Sequence, residues 1–269
     1  MNNNLTLSDI KNIILEETKK HQKILGFITD NGYILPTGLD SKIIGRLFEV
    51  LSEPALKRVA KRLGMQLNVS KKQTLYPDFW LSNPKNPNKD RIAIDIKSTY
   101  RKKSDKIGFT LGSYTSFLRN NTKNIDGNYS MYKFHLILAF VYSRSENPSS
   151  DPIKYSDRSN FKPSISNIEY FVAEKYKIAG EKPGSGNTAN IGSINAKISN
   201  FRSENGPFSY LGENTFEDYW RNYPTPSERS NHKEKYTNIT GYIQWKNKTN
   251  SQVAQTLEAN YNKYLLSNN

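Results

Sequence analysis

Tyr76-Pro77-Asp78-Phe79 and, seventeen positions after Asp78, Ile92-Ala93-Ile94-Asp95-Ile96-Lys97 carry most of what this sequence says about fold and chemistry. Apolar residues flank Asp95 on both sides, as on a buried strand. Residues two apart on a strand share a face, so Asp95 and Lys97 point the same way. Between the two segments lies Ser82-Asn83-Pro84-Lys85-Asn86-Pro87-Asn88-Lys89-Asp90, a turn-rich connection that suits a hairpin of strands 77–81 and 91–96. In that hairpin the carboxylate of Asp78 converges on the edge that carries Asp95. Two carboxylates without a histidine or cysteine nearby make a hard, oxygen-rich pocket suited to magnesium. A lysine beside them can hold or polarise water and balance charge in a phosphodiester transition state. Either piece alone reads more simply as a solvated strand face or an ordinary turn; together, in a basic chain, they weigh a nuclease evenly against that plainer reading.

The chain is basic. Lysine and arginine outnumber aspartate and glutamate by 39 to 25 over 269 residues, a net charge of +14. Such an excess favours encounters with polyanions and says nothing about fold. Nucleic acid is the commonest such partner, and no basic amphipathic helix argues for a membrane surface. With no cysteine, disulfides, Cys-type zinc sites and thiol nucleophiles are excluded. His21, His135 and His232 share no close spacing and read as packing or surface residues. The start, MNNNLTLSDI, has no secretory pattern, and the longest apolar run, Leu136 to Val141, is far below the roughly 20 residues of a membrane span. A cytoplasmic protein is the expectation.

Working outward, Ser8 is placed to cap a first helix. Gly26 to Pro36, with Asp30-Asn31-Gly32 as its turn, reads as a hairpin. Asp40 opens a long helix with Ile43, Ile44, Leu47, Phe48 and Leu51 at helical spacing, recapped or kinked at Ser52-Glu53-Pro54 and stopped by Gly64. Short strands follow at Gln66 to Val69 and Gly108 to Leu111. Tyr132 to Tyr142 is apolar at both parities, as a strand buried on two faces would be. Ser143 to Lys162 reads as a long loop, Ile168 to Ala173 and Lys175 to Ala179 as strands, Phe216 to Tyr223 as a helix. From Ser227 the chain is polar and basic, with a last helical stretch from Gln252 to Leu266.

Asp78 with Asp95-Ile96-Lys97 matches the loose pattern of the PD-(D/E)xK nucleases, and the words around it are far more specific. YPDF, IAIDIKSTY, FTLGSYTSFLRNNTKNI, IAGEKPGSGNTANIGSI and DYWRNY resemble, in order and separation, those of the EcoRV family of type II restriction endonucleases, from about Ser8 to Trp245. The resemblance implies an α/β fold with a mixed central sheet flanked by helices. It implies a dimerisation lobe (1–40 and part of 143–165), a catalytic core (41–142), a DNA-recognition lobe (166–245) and an extension (246–269) beyond the family pattern. It makes Asp78 and Asp95 metal-binding carboxylates, Lys97 the catalytic lysine, and Glu49, inside LFEVL, a further acidic residue of the metal site. Magnesium is the implied cofactor.

Carried over in the same way, Gly184, Ser185, Gly186, Asn187 and Thr188 form a recognition loop. Its glycines allow close approach to base edges, and Asn187 can pair with an adenine. Gln73 belongs to a minor-groove loop, and Ser98, Thr99, Thr115, Ser116, Lys123 and Arg229 contact phosphates, fixing register without reading sequence. There are departures: Lys72 and Thr74 stand beside Gln73 where the family has a glutamine and an asparagine, Ala189 replaces a threonine, and Thr225 replaces an arginine. The implied activity is Mg2+-dependent double-strand cleavage of the palindrome GATATC, blunt and leaving 5′-phosphates, by a homodimer, since two strands of a palindrome need two sites about a two-fold axis. A companion DNA methyltransferase and a bacterial cytoplasm follow from that role. A repair or recombination nuclease with the same core would leave the GSGNT loop unexplained, and a DNA-binding protein without catalysis would leave Asp78, Asp95 and Lys97 an accident.

Overall fold

A computed structural model describes residues 5–19, 24–184 and 189–268. Helix α1 (Leu7–Thr18) is capped by Thr6, two residues before the expected Ser8. A capping box needs an acidic or amide side chain three positions on; Thr6 finds it in Asp9, whereas Ser8 would face Lys11. Strands β1 (Phe27–Ile28) and β2 (Tyr33–Leu35) form the expected antiparallel hairpin. Helix α2 (Ser41–Leu63) begins at Asp40, whose carboxylate accepts from the Lys42 and Ile43 amides, and ends at Gly64 with φ +63°. It runs through Pro54 without a new cap.

The central sheet is built from β3 (Gln66–Val69), β4 (Phe79–Ser82), β5 (Arg91–Tyr100), β7 (Tyr132–Arg144) and β9 (Ile165–Glu174), in the order β3-β4-β5-β7-β9. It is mixed: β5 and β7 run parallel, the other pairs antiparallel. On β7, Leu136, Leu138, Phe140 and Tyr142 pack toward α1 and α2, while Ile137, Ala139 and Val141 pack into a second core on the other face. That double burial is why its sequence shows no alternation. Phe48 of α2 stacks on Phe140 with ring centroids 4.4 Å apart.

A second sheet joins β6 (Thr110–Ser113), which begins two residues later than expected, to β10 (Ala179–Pro183) and β11 (Asn190–Ser193), in the order β10-β11-β6 with β6 at its edge. Lys175 to Ala179 was expected as a strand. Instead α3 (Lys175–Ile178) is a single helical turn, because the chain must leave the central sheet, whose β7 ladder ends at Glu174, to start β10. The stretch 143–162 is not all loop: β7 continues to Arg144, and β8 (Ile153–Lys154) joins the β1–β2 hairpin as a third strand, a long-range pairing invisible in its polar sequence.

The C-terminal part is helical: α4 (Ile198–Arg202), α5 (Pro207–Leu211), α6 (Glu213–Asn222), α7 (Pro226–Ser230), α8 (Ile239–Asn247) and α9 (Ser251–Ser267). Phe208, Phe216, Tyr219, Trp220, Tyr223, Tyr236 and Tyr242 from this part join the core on the β10–β11 side of the central sheet. No helix among the described residues is long and apolar enough to cross a membrane.

Candidate active site and DNA-facing surface

The register of the β4–β5 hairpin builds the site. Phe79 pairs with Ile94, so Asp78, one residue before, lies beside Asp95 and Ile96. The Ile96 amide donates to Asp78 Oδ2 at 2.7 Å. Asp95 shares the strand face of Ala93 and is only 5% exposed. Lys97 follows on the same face with Nζ 2.5 Å from Asp95 Oδ2, and it donates to the Ile96 carbonyl at 3.3 Å. No hydrogen bond closes on Asp95 Oδ2, which is buried with the ammonium close but off line. Three groups singled out from spacing alone therefore meet at one strand edge.

Electrostatics make the cluster tense. Burial, reinforced by the charge of Asp95 and opposed by Lys97 and the Ile96 amide, pushes the Asp78 carboxyl up to about 7. Burial alone would pull Lys97 down, but Asp95 and then Asp78 outweigh it and hold the ammonium above its usual range. Asp78, Asp95 and Lys97 open on a pocket of about 210 Å³ that Gln73, Ser116 and Asn124 also line. Asn124 donates to Ser116 Oγ at 3.0 Å. The pocket's oxygen donors, the absence of nearby soft ligands and an Asp95 oxygen that is ion-paired with Lys97 but meets no well-aligned donor fit a hard divalent cation that keeps most of its water.

Glu49 stands to one side. It lines a neighbouring pocket with Asp78, Lys72 and Gln73 and pairs with Arg46 at 2.5 Å. No group of three or more His, Cys, Asp or Glu side chains gathers as a metal cluster among the described residues, so Glu49 does not close with the two aspartates into one ligand set.

The remaining expected contacts fall in three places. Ser98 and Thr99, at the end of β5, share a groove with Lys102, Lys106, Thr110, Lys182 and Gly184. Thr115 and Ser116 lie just beyond β6; Ser116 is buried against the pocket, and Thr115 exchanges a hydrogen bond with Ser113 at 3.0 Å. Lys123 is exposed one residue before Asn124. Arg229 lies farther off, donating to Tyr114 Oη at 3.0 Å and the Pro224 carbonyl at 2.8 Å. Thr225 caps α7 in a capping box with Glu228, which accounts for a threonine there. Ser185, Gly186, Asn187 and Thr188 lie outside the described residues, but their anchors are visible. Gly184 N–H donates to the Asn190 carbonyl at 3.0 Å and Tyr114 N–H to the Ala189 carbonyl at 2.9 Å.

Lys102, Lys106, Lys182 and Ser113 escaped the sequence reading. The first two sit in Arg101-Lys102-Lys103-Ser104-Asp105-Lys106, a basic run directly after β5, which could have marked them. Lys182 and Ser113 are recruited by the β10-β11-β6 sheet and carry no local signal.

A mixed sheet with two aspartates and a lysine gathered at one strand edge, beside a basic groove, defines the PD-(D/E)xK type of nuclease. The family model described as restriction endonuclease EcoRV matches residues 18–247. The type II restriction enzyme EcoRV of Escherichia coli is 41% identical over 241 residues, covering 88% of this chain and 96% of that enzyme. Among solved structures, NlaIV restriction endonuclease aligns over 97% of this chain and 90% of its own, at 15% identity and a TM-score of 0.42. The chain belongs to the EcoRV restriction-endonuclease family. It is a type II site-specific nuclease, with double-stranded DNA as partner and the divalent-metal dependence of such enzymes.

Proposed function

We propose that this enzyme cuts both strands of the palindrome GATATC at its centre, leaving blunt ends with 5′-phosphates, with magnesium as cofactor and as a homodimer. The observation that carries the reading is the Asp78–Ile96 hydrogen bond beside the Asp95–Lys97 ion pair. It holds two carboxylates and an ammonium on one rigid edge, where a scissile phosphate can be met without rearrangement. In this reading Asp78 and Asp95 hold the cation, and Glu49 serves from the side through its place next to Asp78. When bound there, magnesium would supply Lewis acidity for phosphodiester hydrolysis. Lys97 places an ammonium beside the attacked phosphate and offsets the charge that develops on it. Ser98, Thr99, Thr115, Ser116, Lys123 and Arg229 fix the phosphate register.

Recognition is assigned to the loop of Gly184 to Thr188, with Gln73 reaching from the catalytic side. Strand β6 supports coupling between the two tasks. Its Ser113 pairs with Asn190 at the foot of the recognition hairpin and also lines the catalytic pocket. The β1-β2-β8 sheet is proposed as the dimerisation lobe (1–40 with part of 143–165), since Phe27 and Ile28 leave large apolar side chains 47% and 67% exposed there. The catalytic core is then 41–142 and the recognition lobe 166–245. A bacterial cytoplasm and a protecting DNA methyltransferase with the same specificity complete this reading.

The test is a plasmid with a single GATATC, incubated with magnesium or calcium, alongside Asp95→Ala. Linear product with magnesium only, blunt at the central step and absent in the variant, is the expected result. Intact plasmid despite tight binding would move the protein to the non-catalytic binders. Cutting at another sequence would retain the nuclease and discard the inherited specificity, for which the changed residues Lys72, Thr74 and Ala189 are the first suspects.

A further inference from the structure

One ionisable group next to the site has no part in the chemistry above. Lys175, the first residue of α3, is 3% exposed, and it makes no ion pair among the described residues. Its ammonium lies 4.4 Å from the ring centroid of Tyr76 and 4.9 Å from that of Phe117. It also lies 3.6 Å from where a Cβ at Gly112 would stand. Tyr76, Phe117 and Gly112 all line the pocket that holds Asp78, Asp95 and Lys97, so Lys175 sits directly behind that pocket's wall.

A buried ammonium without a carboxylate is costly, and aromatic faces return only part of the cost. Methionine or leucine would fill the space more cheaply, so packing does not explain a lysine. Burial, opposed by the charge of Asp95, lowers its pKa to about 8, which leaves it charged at neutral pH. Behind the wall, then, a second ammonium joins Lys97 against Asp78 and Asp95, so the site holds little net negative charge before any cation arrives.

We propose that Lys175 sets the charge of the metal site, disfavouring a divalent cation in the free protein and reserving tight binding for the complex in which a DNA phosphate adds negative charge. The inference rests on the carboxylate site described under Proposed function. A doubly charged ion feels twice the repulsion that a proton feels at the same place. Removing Lys175 therefore favours metal over proton, even though it also eases protonation of the aspartates. Lys175 is a positioning residue in this sense: it acts through the carboxylates and touches no reacting atom.

The experiment is terbium luminescence, excited through Tyr76 in the pocket wall, on the full chain at pH 7.5 without DNA and with uncleaved DNA in calcium-free buffer. The variants are Lys175→Met, Lys175→Gln, Lys175→Arg and Asp95→Asn. Both neutral variants should bind terbium more tightly in the free protein, by roughly threefold to tenfold, and should narrow the gap between free and DNA-bound affinity. Lys175→Arg should restore wild-type affinity, which a purely structural role would not require. Unchanged or weaker binding in the neutral variants, with melting temperatures near wild type, overturns the proposal. The glutamine variant decides if the methionine variant fails to fold. Should Asp95→Asn bind terbium as well as wild type, the carboxylate site itself is what fails, and the role of Lys175 falls with it.

Discussion

The proposed catalytic edge and the proposed recognition hairpin are built on opposite plans. Asp95 and Lys97 ride on β5, whose ladder with β7 runs without a break from Ile92↔Phe134 to Tyr100↔Tyr142, after one register shift next to Arg91, and whose first six residues are buried. The chemistry there is charged, but the frame is a buried sheet that no single contact controls. Among the described residues the hairpin of β10 and β11 pairs at Ala179↔Ser193 and Pro183↔Ile191, with a register shift between them. It holds together by close backbone approach: a Cβ at Gly192 would lie 2.4 Å from the Lys182 carbonyl oxygen, and one at Gly184 2.6 Å from the Thr110 methyl. The edge proposed to cut is over-determined, whereas the loop proposed to read stands on a few small residues. An enzyme divided this way can vary its target without endangering its chemistry.

The comparison breaks most visibly if chemistry and binding fail to separate. Replacing Lys97 by methionine should lower single-turnover cleavage about 10³-fold, while specific DNA affinity, measured by gel shift in calcium, stays within about threefold. A parallel loss of both would mean that the edge also carries binding. The converse is Gly192→Ala. Its added methyl meets backbone at Lys182 and Gly184, which cannot swing aside, so an overpacking cost of about 1–3 kcal/mol is expected. That should appear as a roughly tenfold to hundredfold loss of specific affinity, with the catalytic aspartates undisturbed. Wild-type affinity in this variant would remove the hairpin from recognition altogether.

The two regions also differed in how far they could be read from sequence. Asp78, Asp95 and Lys97 were legible because a strand's two-residue period and a hairpin's turn chemistry are local, and the structure brings all three together. The mixed sheet came from the family likeness, while the burial of β7 on both faces and the turn before Arg91 were legible locally. Near the hairpin, local pattern misled. Lys175 to Ala179 alternates like a strand but forms a helical turn, and Asn190–Ser193 pairs with β6 across about eighty residues of sequence. Helix α8 and the buried Tyr236 and Tyr242, which pack on Tyr219, lay inside a segment whose polar composition hid its buried face. α9 begins beyond residue 247, where the family match ends, yet it adds Ala254 and Leu257 to that same core. Glu49 was placed with the aspartates by likeness; in the fold it pairs with Arg46 at their side.

The smallest expected effect sharpens the comparison from beneath the catalytic edge. His135 of β7 sits opposite Ala93 on β5, 7% exposed, with Nδ1 2.8 Å from Tyr76 Oη and its ring stacked 4.6 Å from that of Tyr129. Tyr132 lies against it too, and Lys175 is the charge that bears on it. Burial, and then the Lys175 ammonium, lower its pKa from 6.5 to about 3. The folded state therefore keeps a neutral imidazole where the unfolded chain binds a proton. Stability falls as pH drops below 6.5, by up to about 1.4 kcal/mol per unit, until the folded group titrates near 3. His135→Phe removes this linkage and costs about 1 kcal/mol at pH 7 for the lost hydrogen bond to Tyr76. Melting temperatures from pH 7 to pH 4.5 should thus fall less steeply in the variant than in wild type, and the two should converge or cross on the acid side. Parallel curves would show that His135 takes up its proton inside the fold, and that the platform under Asp95 is less dry than the buried sheet requires.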